Sequence, residues 1–65
     1  MKDIDSLAKL ILLYAKKDIF NGTGRVFIDS LNREGYSYDD ILKAIDKISY
    51  MYDVRIVGNI IKIKF

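Results

Sequence analysis

The chain has 65 residues, 51% of them hydrophobic, a formal net charge of +2, and neither cysteine nor histidine. A chain of this length forms one small domain, here residues 1–65. The absence of cysteine and histidine excludes the usual zinc sites, disulfides and nucleophile–base pairs. We therefore expect no enzymatic activity, metal, cofactor or small-molecule substrate. The acidic start and the short apolar run at residues 10–15 predict a cytoplasmic protein that does not contact a membrane.

Apolar residues at helical spacing predict a first helix over residues 4–19. Asp3 is suited to the N-cap, and Asn21-Gly22 is expected to stop the helix. The stripe expected to face the core consists of Ile4, Leu7, Ala8, Ile11, Tyr14 and Ala15.

Three further leucines make the apolar arc of this helix wider than a domain of this size needs. They are Leu10, Leu12 and Leu13. This width predicts a homodimer that forms through Leu10 and Leu13. In the alternative, Leu10 and Leu12 pack under neighbouring elements of the same chain and Leu13 is merely an exposed leucine.

Short elements follow in the middle of the chain. Residues 21–24, Asn-Gly-Thr-Gly, are interpreted as a loop, and the β-branched and aromatic residues 25–27 predict a short strand. A second helix is expected over residues 28–34. Gly35 then supplies a left-handed position after its end, and Ser37 is the expected N-cap of a third helix.

The third helix has the clearest pattern of the chain. Its buried face is predicted from apolar residues at i, i+4, i+7 and i+11, namely Ile41, Ile45, Ile48 and Tyr52. The same spacing exposes Asp39, Lys43, Asp46, Lys47 and Tyr50.

A C-terminal hairpin is predicted around the two-residue turn Gly58-Asn59. The turn pairs Val57 with Ile60 and Arg55 with Lys62, and the alternation places Val54, Ile56, Ile61 and Ile63 towards the core. Asp53 opposite Lys64 is a stabilising pair.

Arg55 opposite Lys62 is an unfavourable pair, because like charges directly across a ladder repel. A bound anion relieves that repulsion, so Arg55, Lys62 and Lys64 are candidate contacts to DNA phosphates. In the alternative, lysines on an exposed edge strand only prevent edge-to-edge association.

The order of helix, strand, helix, short turn, helix and hairpin is typical of an α+β winged helix-turn-helix. Residues 24–65 resemble the winged-helix superfamily, and residues 26–48 are similar in spacing to the C-terminal winged helix of archaeal minichromosome-maintenance helicases. The chain also resembles small winged-helix regulators of archaeal viruses and plasmids. Matching positions are Val26, Leu31, Gly35, Ser37, Ile41, Ala44 and Ile45. Two departures are Phe27, where a polar helix cap is usual, and the short wing.

Two functions remain open from the sequence. The first is a double-stranded DNA-binding protein, expected to be a small transcriptional regulator. It would contact DNA through the hairpin and through residues of the third helix and its flanks, namely Lys43, Lys47, Tyr50 and Tyr38. The acidic residues at the start of that helix oppose this, and its exposed face is alternatively a solvated surface with i,i+4 charge pairs. The second is a protein–protein interaction module of a replication or transcription complex.

Overall fold

Three α-helices and a four-stranded antiparallel sheet make up residues 3–65, the part of the chain described by the computed structural model. This arrangement confirms the α+β class. In chain order the elements are α1 (Ile4–Lys17), β1 (Ile19–Phe20), β2 (Thr23–Phe27), α2 (Ile28–Arg33), α3 (Tyr38–Ile48), β3 (Asp53–Val57) and β4 (Ile60–Lys64). No helix within residues 3–65 has the length and apolar character needed to cross a bilayer.

Helix α1 begins as expected but ends earlier. The Asp3 carboxylate accepts a hydrogen bond from the backbone N–H of Asp5 at 3.2 Å, so the predicted N-cap is confirmed. The predicted extension to residue 19 is wrong, because Asn21 and Gly22 form a hairpin turn instead of a helix stop. Both have positive φ, 54° and 79°, as a type I′ turn requires.

That turn pairs β1 with β2, so part of the expected loop is a strand. Thr23 and Gly24 belong to β2, which makes this strand two residues longer than predicted. Gly24 lies directly under α1, since a Cβ there would be 2.3 Å from the carbonyl oxygen of Ala15. Only glycine lets α1 and β2 approach this closely.

The predicted turn between α2 and α3 is confirmed. Gly35 has φ 97°, and the N–H groups of Gly35 and Tyr36 donate to the carbonyls of Asn32 and Leu31, which is the Schellman arrangement. The hydroxyl of Ser37 accepts from the N–H of Asp40 at 3.2 Å and caps α3. Helix α2 ends at Arg33, one residue earlier than predicted.

All four strands join one sheet in the order β1-β2-β4-β3. The predicted register of the C-terminal hairpin is confirmed at every pair, from Asp53 opposite Lys64 to Val57 opposite Ile60. Strand β4 also pairs with β2, so it occupies the interior of the sheet. Strand β3 is an edge.

The core lies between one face of the sheet and the helices. Its buried members are Leu7, Ile11, Ala15, Val26, Ile28, Leu31, Ile41, Ala44, Ile48, Ile61 and Ile63. Ile45 and Tyr52, predicted to be buried, pack half-exposed against this core, and Ala44 takes the fully buried position between the isoleucines of α3. Ile56 points inward but remains 38% exposed, because it lies on the edge strand.

Candidate nucleic-acid interface

Three cationic side chains lie side by side on the outer face of the sheet. Arg25 of β2 and Arg55 of β3 are both directly opposite Lys62 of β4. Residues directly opposite in a ladder share one face, and neighbouring strands are about 4.8 Å apart. All three residues are exposed. We call Arg25, Lys62 and Arg55 the basic row.

Rows of a different character flank the basic row on the same face. On one side Lys64 lies between Thr23 and Asp53, so its charge has an acidic neighbour. On the other side Ile60 lies between Phe27 and Val57, which forms an apolar row. The outer face therefore combines concentrated positive charge with exposed apolar surface.

Little acidic charge compensates the basic row. The Nε of Arg25 is 3.3 Å from the Oδ2 of Asp18, in a pair that is about half exposed on both sides. Within residues 3–65, the ion pairs closer than 4 Å involve neither Lys62 nor Arg55. Repulsion between these two like charges therefore persists in the absence of a bound anion.

The edge-strand alternative for the lysines does not fit the topology. Lys62 and Lys64 lie on β4, which is paired on both sides, so they protect no free strand edge. Of the three hairpin cations, only Arg55 lies on an edge strand.

A shallow depression of about 360 Å³ opens beside the basic row. Its walls are the side chains of Phe20, Thr23, Arg25 and Lys62. Phe20 is 74% exposed. Sequence reasoning missed both Phe20 and Arg25 as site residues, although the Asn-Gly pair flanked by β-formers was a signal for the hairpin that brings them together.

The candidate residues of the third helix and its flanks belong to the helical layer. Tyr38, Lys43 and Tyr50 are exposed, and Tyr50 is 82% exposed. The ammonium group of Lys47 donates a hydrogen bond to the carboxylate of Asp5 on α1. This bond raises the pKa of Lys47 and lowers the pKa of Asp5. Lys47 is thus paired with α1, through a contact in which both side chains are more than half exposed.

The two groups of candidates lie on different faces of the molecule. Helix α1 packs on β2 and also against α3, and the basic row points away from this helical layer. The structure therefore brings Arg55, Lys62 and Lys64 together with Arg25, and it does not place the residues of α3 in the same row.

The two candidate dimer residues differ in their environment. Leu10 is half-buried and packs against the core of its own chain, whereas Leu13 is 49% exposed. Leu13 lines a shallow groove with Lys9, Leu12 and Lys16 along α1.

No protein-family model, curated protein or solved structure was found to match this chain. What the outer face of the sheet binds is therefore inferred from its own residues. Within residues 3–65, no three Asp or Glu side chains converge on a position suited to a metal ion. The chemistry that this face does offer is attraction of an anion by the basic row.

Proposed function

We propose that this chain binds double-stranded DNA, as a small transcriptional regulator with a winged helix-turn-helix arrangement. The observation that carries the proposal is the basic row, in which Arg25, Lys62 and Arg55 are adjacent on one exposed face. Lys64 extends the positive surface along β4.

The order and pairing of the elements support the winged-helix arrangement. Helices α2 and α3 are separated by a turn of four residues, 34–37, and the β3–β4 hairpin follows as a wing. Strand β2, directly before α2, pairs with β4 of the wing. The two-residue strand β1 is an addition to the expected pattern.

A phosphate backbone is suited to the basic row for an energetic reason. Like charges opposite each other in a sheet destabilise it by a fraction of a kcal/mol to about 1 kcal/mol per pair. A phosphate between them replaces repulsion by charge-assisted hydrogen bonds, and DNA releases counterions when its phosphates are neutralised. Arginine is especially suited because its guanidinium can bind a phosphate with two parallel hydrogen bonds.

Helix α3 has a secondary role in this proposal. Lys43, Tyr38 and Tyr50 are exposed and can donate hydrogen bonds to a groove or a phosphate, but they lie on a different face from the basic row, so one duplex docked on the sheet does not reach them. Asp39 and Asp40 in the first turn oppose a close approach to phosphates. We therefore assign most of the affinity to the sheet.

A second candidate function is a protein–protein interaction module of a replication or transcription complex. Specific observations favour it: the first turn of α3 is acidic, Lys47 is engaged by Asp5, and Leu13 and Val57 are exposed apolar residues. The same exposure of Leu13 supports the proposal of a homodimer through α1.

A salt titration of duplex binding tests the main proposal. Contacts from the basic row and Lys64 to about four phosphates predict that log K falls with log salt concentration with a slope of roughly −3.6. Replacing Arg55 and Lys62 with alanine should lower the magnitude of the slope by about 2. Alanine at Lys9 and Lys16 of α1 is the matched control and should change the slope little. A shallow slope, or no binding at low salt, would contradict the proposal and favour the interaction module.

A further inference from the structure

We infer that the outer face of the sheet holds unpaired nucleotides, with a base stacked on Phe20 and its phosphate between Arg25 and Lys62. This inference rests on the proposed function and narrows its ligand from a continuous duplex to DNA with an unpaired segment. Two phenylalanine residues, Phe20 and Phe27, are exposed on the charged face, and phosphate binding alone does not require them.

Both rings lie on the same face as the basic row. Phe20 is opposite Thr23, which is opposite Lys64, and Phe27 is opposite Ile60 in the apolar row. Their exposed fractions are 74% and 45%. Within residues 3–65 the close ring pair joins Tyr52 and Phe65 elsewhere, so neither Phe20 nor Phe27 stacks on an aromatic neighbour.

The depression next to Phe20 has the chemistry of a nucleotide site. It combines an aromatic ring, the hydroxyl of Thr23 and the two cations Arg25 and Lys62 around about 360 Å³. A ring provides a stacking surface for any base, and adjacent cations attract the phosphate of the same nucleotide.

The spacing of the rings favours unpaired over paired bases. Phe20 lies opposite Thr23, and Phe27 is four residues further along β2. Four residues correspond to about 14 Å along the strand. Arg25 lies halfway between them. Bases of a duplex are stacked about 3.4 Å apart and hide their faces from a protein surface. Only bases that have left the stack can cover rings so far apart.

The hairpin of β1 and β2 is the structural cause of this site. The type I′ turn at Asn21-Gly22 holds the two-residue strand β1 against β2, and this position places Phe20 next to the basic row. Exposed aromatic surface is unfavourable in water, and a stacked base removes it from water.

The experiment compares three probes of equal length by fluorescence anisotropy: an oligothymidylate, an abasic strand with the same phosphates, and a duplex. We expect the oligothymidylate to bind about tenfold or more tightly than either of the others, because base–aromatic stacking adds to the phosphate contacts. Phe20→Ala should weaken oligothymidylate binding by about fivefold or more and leave duplex and abasic binding unchanged. Phe20→Trp should preserve it.

Met51→Ala is the matched control, because Met51 is 70% exposed and lines a groove between α1 and α3, away from the sheet. Phe27→Ala gives a second, independent variant. Equal affinity of the wild-type chain for the oligothymidylate and the abasic strand would overturn the inference. This comparison does not depend on whether any variant folds. If the duplex still binds with a steep salt dependence, the proposed function stands without the inference. Absence of binding to all three probes would overturn both.

Discussion

Arg25 lies directly opposite Lys62 across the β2–β4 ladder, and Lys62 in turn lies opposite Arg55. The central lysine therefore has a cation on both sides, on a strand that cannot shift away from either. A folded chain retains such a row at some cost in stability. A bound phosphate would remove this cost, and for this reason the fold favours the proposed binding of phosphates.

Neutralising the central lysine should stabilise the free protein. We expect Lys62→Gln to raise the free energy of unfolding by about 0.2–1 kcal/mol, mainly from the Arg55–Lys62 pair because Asp18 compensates the charge of Arg25, with a larger gain at low salt. Urea denaturation at two salt concentrations measures it. Lys64→Gln is the matched control, because Lys64 lies opposite the acidic Asp53, so the substitution relieves no repulsion between like charges and removes an attraction between opposite ones. A loss of stability for Lys62→Gln as large as that for Lys64→Gln would contradict the repulsion.

The close approach of α1 and β2 should make Gly24 intolerant of any side chain. A Cβ at this position meets the Ala15 backbone oxygen and carbon at 2.3 Å and 2.7 Å, so the helix and strand must separate. We expect Gly24→Ala to cost about 3 kcal/mol, the upper end of the usual range for overpacking. Gly58→Ala has a φ of 60° but no atom within 4 Å, and should cost about 1–2 kcal/mol. Thermal denaturation compares the two, and equal losses would refute the close-packing explanation.

The ion pair between Asp5 and Lys47 should make stability depend on pH at both extremes. Lys47 lowers the pKa of Asp5, so this contribution is present above the ordinary aspartate range and is lost as pH falls through the lowered value. Asp5 raises the pKa of Lys47, so the contribution is also lost as pH rises through that raised value.

Asp5→Asn should therefore lower the melting temperature at neutral pH and leave it little changed in strong acid and strong alkali. The effect should shrink at high salt, because both side chains are more than half exposed. A difference in melting temperature that stays constant across the pH range would show that the substitution acts through something other than this pair.

Dimerisation through α1 should depend on Leu13. We expect Leu13→Asp to shift the sedimentation profile from dimer to monomer, because a carboxylate in an apolar interface is unfavourable. Leu42→Asp, at an exposed leucine of α3, is the control and should leave the profile unchanged. Identical monomer profiles for the wild type and both variants would show that the chain does not dimerise through α1.

Local signals in the sequence predicted much of the fold. The caps at Asp3 and Ser37, the left-handed glycine at Gly35 and the register of the C-terminal hairpin depend on residues close in the chain, and the structure confirms them. Each is determined by local conformation and hydrogen bonding, which do not depend on contacts with distant parts of the chain.

The sequence-based interpretation was incomplete where distant segments meet. Arg55 and Lys62 could be paired through their shared turn, but Arg25 joins them only because β2 pairs with β4 across more than thirty residues. The β1–β2 hairpin was missed because Asn21-Gly22 after a helical pattern also resembles a helix stop. Hydrophobic periodicity alone does not distinguish a hairpin turn from a helix stop at Asn21-Gly22.

Charge-matched variants test whether the basic row binds phosphates. Replacing Arg25, Lys62 and Arg55 with glutamine removes three positive charges from the sheet, and replacing Lys9, Lys16 and Arg33 removes three from the helices. Both lower the net charge equally from +2. We predict that, at a fixed low salt concentration, the sheet variant loses duplex affinity by about a hundredfold or more, whereas the helix variant loses much less. Equal losses for the two variants, or a larger loss for the helix variant, would contradict a phosphate-binding role for the basic row.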